Sequence, residues 1–377
     1  TNSWGSTTNA YDGYCVDVDN AMWQHKDYLV CFAAGNSGPS ASTVGSPGTA
    51  KNCVTVGATQ QAPSQNTIAS YSSRGPANDG RRKPTVTAPG GEDPTFINSV
   101  DNNPGNPPSP TCATAGSPFQ GTSMATPAVA GCALDVRQFY MDGFYPLGLV
   151  GGTPLTPSAA LVKATLISST SDMATADIPN NNEGWGRLLL DNSLFFEGDT
   201  RELIADDVDP GLGTGEAWTA GFEVDTATEP LVITVVWTDY PATSGSGIRL
   251  VNDLDLTVTA PDDAVYKGNV FSGGQSADAG SPDRLNVEEC VRRNAPATGR
   301  WTVRVDGYNV PHGPQPFAVV INGSFANWPG PDQSGVTGPA LVRNLAISAT
   351  PNPVRDVTSL GYTVPARYSG PVRVEIV

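Results

Sequence analysis

"QGTSMATPAVAG", residues 120–131, places a serine at the head of a run of small residues that continues as "CALDVRQFY". A serine hydroxyl is a weak nucleophile at neutral pH. It needs a fixed, exposed position, an adjacent base, and donors for the oxyanion that develops on attack. Gly121 allows a substrate backbone to come close, and Ser123 at a helix start lies where free N–H groups and the helix dipole favour negative charge. Pro127 is expected within the first turns, where a missing N–H is tolerated. Taken alone, the stretch reads first as a core helix with Ser123 as its N-cap, because serine is a preferred capping residue.

The segments upstream change that balance. "VDVDNAMWQHKDY" (16–28) has helical periodicity and runs into the apolar "LVCFAAG" (29–35) and the turn "NSGP" (36–39). A second apolar strand, "CVTVGAT" (53–59), follows the turn region "GSPGTAKN". Buried strands separated by helices and loops predict a parallel α/β sheet. In such a sheet Asn36 falls at the carboxyl edge of a strand, where α/β proteins build their sites, and its amide is placed to donate to an oxyanion. "PSAALVKATLISST" (157–170) reads as a further amphipathic helix.

After residue 197 the periodicity switches. "PLVITVVWTDY" (230–240), "LVNDLDLTVTAP" (250–261), "GRWTVRVDGYNV" (299–310) and "PFAVVINGSF" (316–325) alternate and are bounded by Gly, Pro, Asn or Asp. That pattern predicts an antiparallel sandwich over 198–328. "PGPDQSGVTGPA" supplies a linker at 329–340, and 341–377 reads as the start of a third β module.

A formal charge of −16 argues against nucleic-acid partners, which require clustered Lys and Arg. No apolar run is long enough to span a membrane. Six cysteines lack metal-type spacing, which leaves disulfides and reduced core thiols equally open. The opening residues "TNSWG" read as the interior of a domain.

"TNSWG", "FAAGNSGP", "GSPGTAKNCVTVGAT", "SSRGP", "KPTVTAPG" and "GTSMATPAVAG" stand in the order seen in subtilisin-like serine proteases (subtilases, peptidase S8), which residues 1–197 therefore resemble. "LVNDLDL" and "YNVPHGPQPF" extend the likeness to alkaline subtilases with a C-terminal β-barrel. The resemblance implies a subtilisin-like α/β domain with an incomplete parallel sheet, then an all-β jelly-roll-like sandwich, then a partial immunoglobulin-like module of the kind found in secretion sorting. It implies Ser123 as nucleophile and Asn36 as oxyanion donor. Ser3, Trp4 and Gly5 would pair with substrate backbone as an added strand, and Ala33, Ala34 and Gly35 would wall the primary specificity pocket.

The family's triad runs Asp, His, Ser, with the first two upstream of the segment matching "TNSWG". The chain has two histidines, His25 and His312. His25 lies in the helical "AMWQHKDY" and His312 in the turn "VPHGP", so both are expected at the surface. The expectation is a secreted, bacterial-type serine endopeptidase acting on protein or peptide substrates, whose triad Asp and His lie outside this chain, leaving the chain inactive alone. No cofactor is expected for catalysis. The alternative is a pseudoprotease or adhesin-like binding module. An esterase of the α/β-hydrolase type is disfavoured because the serine motif lacks the final Gly of a nucleophile elbow. Asp253 and Asp255 alternate onto one face of a strand and need a neutralising charge, for which a structural calcium ion is the candidate.

Overall fold

A computed structural model describes residues 1–97, 119–152, 154–173, 176–245, 247–327, 346–350 and 359–363. The first part holds a parallel sheet of three strands, β1 (Cys31–Ala33), β2 (Val54–Thr59) and β3 (Val86–Pro89), with β2 central. β2 is buried along its whole length, as a strand covered on both faces must be. Helix α1 (Gly13–Gln24) begins where the Asp12 carboxylate caps the Cys15 N–H and ends at His25, which is exposed. Residues 1–6 run beside β1: Asn2 N–H donates to Cys31 O at 2.9 Å and Ala33 N–H to Asn2 O at 3.0 Å.

Helix α2 (Thr122–Met141) packs on this sheet, and α3 (Ala159–Ser168) packs on α2. All ten residues of α3 are buried, so the amphipathic helix expected over 157–170 is corrected to one that is covered on every side. The second cover is the sandwich. Its four-stranded sheet, in the order β11 (Glu288–Arg293), β6 (Leu231–Val236), β13 (Gln315–Gly323), β4 (Glu202–Leu212), lies directly on α3. Asp207 of β4 helps fix the joint by accepting from the Ser158 N–H and Oγ, both at 2.7 Å, at the N-cap of α3.

The facing sheet has five strands in the order β14 (Phe325–Asn327), β5 (Ala217–Val224), β12 (Gly299–Asn309), β7 (Asp253–Thr259), β8 (Val265–Lys267). Trp218, Phe222, Trp237, Trp301 and Phe317 fill the space between the two sheets. β9 (Phe271–Ser272) and β10 (Gln275–Ser276) form a small antiparallel pair. The boundary expected near residue 198 is a boundary in chain order only, because one hydrophobic core runs from β1–β3 through α2 and α3 into β4, β6 and β13. Of the third module, β15 (Ala346–Thr350) and β16 (Ser359–Thr363) pair antiparallel; the rest of 341–377 and the linker 329–340 lie outside the described residues. Cys15, Cys31, Cys53, Cys132 and Cys290 are free thiols.

Candidate active site

Gly121, not Ser123, caps α2, and the serine is the second helical residue. Gly121 has φ +149°, a left-handed value that disfavours any residue with a Cβ, and its N–H donates to Gly90 O at 2.9 Å. The Tyr71 hydroxyl donates to Gly90 O at 3.0 Å and Gly91 O at 2.5 Å, so the turn that delivers the serine is anchored to the end of β3. The Ser123 N–H, a free donor of the first helical turn, has no acceptor among the described residues.

Pro127 is the sixth helical residue, in the second turn of α2. Lacking an N–H, it leaves the Ser123 carbonyl without its usual partner four residues on. Ser3 Oγ donates to that carbonyl at 3.3 Å, so the 1–6 segment is tied to the helix turn that carries Ser123.

Asn36 is held by Thr122. Its Oδ1 accepts from Thr122 N–H at 3.0 Å and Thr122 Oγ1 at 2.9 Å, while Thr122 Oγ1 itself accepts from Gly35 N–H at 3.3 Å. With its oxygen engaged twice, the amide can only turn its Nδ2 outward, and that nitrogen lies 3.4 Å from where a Cβ on Gly121 would stand. Thr122 was not singled out in the sequence, although it lies inside the decisive motif; a hydroxyl that acts by orienting an amide leaves no pattern of its own. Replacing it with valine, which keeps the shape and the backbone bond, is expected to lower turnover of the full-length protein about three- to tenfold with little change in KM. Steady-state kinetics on a peptide substrate checks this.

Ala34 N–H donates to Val56 O at 2.9 Å and Ala34 O accepts from Gly45 N–H at 3.2 Å, which fixes the 33–35 strand end. Ser3, Trp4 and Gly5 are exposed beside it, with Trp4 packed edge-on to Tyr14 and Phe32. The structure thus gathers Ser3, Gly35, Asn36 and Ser123 around the start of α2. No hydrogen bond links Ser123 Oγ to an imidazole among the described residues. His25 is at the end of α1, and His312 stacks on Tyr240 with ring centroids 3.8 Å apart.

Asp253 and Asp255 are not brought to this site. Leu254, Leu256 and Val258 of β7 enter the sandwich core, leaving the two aspartates on the other face, as the alternation requires. Arg284 supplies a neutralising charge to this pair. Its guanidinium grips both oxygens of Asp255, reaches Asp253 at 3.4 Å, and stacks 3.7 Å from the Tyr308 ring centroid. Burial still pushes the Asp253 carboxyl up to about 7, with Arg284 opposing and Asp255 adding to the rise. Arg284→Gln is therefore expected to cost about 1–3 kcal/mol at pH 8, where Asp253 is ionised, and less at pH 5, where it is protonated. Urea denaturation at both pH values reads the difference.

Among the described residues the carboxylates that do converge are Asp172, Asp177 and Glu183, within 4.8 Å of one another. Glu183 is 5% exposed, and burial followed by its two acidic neighbours raises its carboxyl to about 7, against the bond from Asn180. A raised acid favours the folded state while protonated, so its contribution is full below about pH 4.5 and lost as pH rises toward 7. Glu183→Gln is expected to stabilise the protein by about 2–3 kcal/mol at pH 8 and hardly at all at pH 4.5. An unchanged pH slope would assign the stability loss elsewhere.

The Subtilase family profile matches residues 1–186. The serine protease/ABC transporter B family protein tagB of Dictyostelium discoideum is 26% identical over 91% of this chain and 25% of its own length. The serine protease AprX of Bacillus subtilis is 39% identical over 29% of this chain and 26% of its own. This chain thus spans about a quarter of the length of these curated relatives. Among solved structures, sphericase aligns over 50% of this chain and 55% of its own at 25% identity, with a TM-score of 0.37. No helix among the described residues is long and apolar enough to cross a membrane.

Proposed function

We propose, from the premise that residues 1–186 of this chain are a subtilase-family domain, that the full-length protein is a serine endopeptidase that cleaves peptide bonds through an acyl-enzyme on Ser123. The observation that carries this reading is the Thr122 lock on Asn36. It aims an amide donor at the mouth of α2, beside the unpaired Ser123 N–H, so two donors meet next to one hydroxyl. In the reaction Ser123 Oγ attacks the scissile carbonyl and gives its proton to a base. The carbonyl oxygen takes up negative charge between the Ser123 N–H and Asn36 Nδ2. The base then returns the proton to the leaving amine, and water releases the acyl group by the reverse sequence.

The base and its orienting carboxylate come from outside residues 1–377 in this reading, since neither His25 nor His312 reaches the serine by a hydrogen bond. Extended substrate pairs with Ser3, Trp4 and Gly5, and its side chain enters the pocket walled by Ala33, Ala34 and Gly35. Ser3, tied to the Ser123 carbonyl, keeps that edge in register with the nucleophile. The reading assigns no cofactor to the chemistry, a secreted protein, protein or peptide substrates, and a jelly-roll-like sandwich at 198–328. An adhesin or pseudoprotease would not need a donor pair aimed beside a free hydroxyl. The test is labelling by a serine-directed phosphonate. It should be inefficient for residues 1–377, efficient for the full-length protein, and absent from the full-length Ser123→Ala variant. Labelling that survives this substitution overturns the assignment.

A further inference from the structure

The sandwich reaches across the domain boundary to the segment that closes the substrate wall. Residues 44–52 bind the two strands of that wall together: Gly45 N–H donates to Ala34 O at 3.2 Å, and Ser6 N–H donates to Ser46 O at 2.7 Å. The far end of the segment, Lys51–Asn52, is wholly enclosed. Lys51 Nζ donates to Asp239 Oδ2 at 2.5 Å and to Tyr240 O at 2.6 Å, with both charged side chains fully buried. Asn52 and Asp239 exchange a second pair of bonds, Nδ2 to the Asp239 carbonyl and the Asp239 N–H to Oδ1, each at 2.9 Å. The Asp239 carboxylate also accepts from the Val251 and Asn252 N–H groups at 2.9 and 2.8 Å, and Asn252 is bonded in turn to His312 and Gln315. A buried hydrogen-bonded network thus runs from β13 and its neighbouring turn to Lys51–Asn52, and the chain itself carries it on to Gly45.

A buried ion pair is a poor source of net stability, because desolvation offsets the attraction, and an apolar pair of equal volume does as well or better. What it supplies is direction: three fixed bonds to Asp239 and one to the Tyr240 carbonyl hold Lys51–Asn52 in one place. We infer that Asp239 is a positioning residue for the substrate wall, acting through Lys51, Asn52 and the 44–52 segment on the strand ends 33–35 and 1–6. The word substrate rests on the protease reading; the mechanical link does not.

Hydrogen exchange on residues 1–377 tests the link. In Asp239→Asn the Gly45 and Ser46 amides are expected to exchange at least about tenfold faster, while Val303 and Val319 in the sandwich keep their protection. The Lys51→Gln/Asp239→Asn double variant, which leaves no unpaired charge, should recover most of the difference. Asn52→Ala removes the reciprocal bonds without orphaning a charge and should give the same local loosening, so it carries the test if Asp239→Asn does not fold. Unchanged exchange at Gly45 and Ser46 in a folded variant overturns the inference, as does a uniform loss of protection across both domains. In the full-length protein Asp239→Asn should raise KM for a peptide substrate about tenfold and leave kcat within about twofold. Local loosening in a full-length protein that cleaves no peptide would overturn the protease reading alone.

Discussion

Ser123→Ala is expected to remove peptide-bond cleavage by the full-length protein, a loss of about 10⁶-fold in kcat, whereas Asn36→Ala should cost about 10²–10³. Both magnitudes are borrowed from subtilisin itself, a member of the same family, so the expectation under test is their transfer to these two residues. The difference follows from the geometry. Without Ser123 Oγ there is no nucleophile. Without the Asn36 amide, the Ser123 N–H still offers one donor to the oxyanion, and the phosphonate still labels. Thr122 falls between a spectator and Asn36 because its backbone bond survives every side-chain substitution. Efficient, Ser123-dependent cleavage by residues 1–377 alone would show that a base lies within this chain. The search would then begin with His25, exposed at the end of α1.

Much of the candidate site lies in short contiguous runs. "GTSMATP" contains the capping glycine, Thr122 with its bonds to Asn36, Ser123, and the proline that frees the Ser123 carbonyl for Ser3. "AAGNSGP" ends a strand and starts a turn, which places Asn36 at a sheet edge from local preference alone. The strands β1, β2, β6, β7, β12 and β13 each lie within or overlap a segment read as a strand, because their side chains keep the period their burial requires.

What was not legible depends on partners distant in sequence. β4 carries Asp206, Asp207, Asp209, Pro210 and Gly211, residue types depleted in strands, and its span was not among the segments expected as one. Asp207 is held there by the N-cap of α3, and the register shift between Gln315 and Phe317 of β13 accommodates the irregularity. Arg284 is separated from Asp255 by 29 residues, so the charge that neutralises the aspartate pair could not be found from the strand itself. Lys51, Lys163, Asp239 and Glu288 share that difficulty. A charged residue reads as exposed by default, and only its partner across the fold makes its burial tolerable.

Lys163 gives this its largest expected effect on stability. It sits mid-way along α3, 2% exposed, between the parallel sheet and the sandwich. Its ammonium meets Glu288 Oε2 of β11 at 3.0 Å and the Lys51 and Asn52 carbonyls at 3.3 and 3.4 Å, so one charge touches both halves of the molecule. Lys163→Met fills the same space but leaves Glu288 buried without its cation, which should cost about 3–5 kcal/mol. The melting temperature should fall by about 5–15 °C. Lys163→Met/Glu288→Leu, with neither charge present, is expected to regain most of the loss. Because one hydrophobic core joins β1–β3, α2, α3 and the four-stranded sheet, the single variant should still melt in one transition, with the near-ultraviolet signals of both parts disappearing together. Two separated transitions, with only one of them shifted by Lys163→Met, would mean that the sandwich and the part that carries the parallel sheet fold as independent bodies despite the charges buried between them.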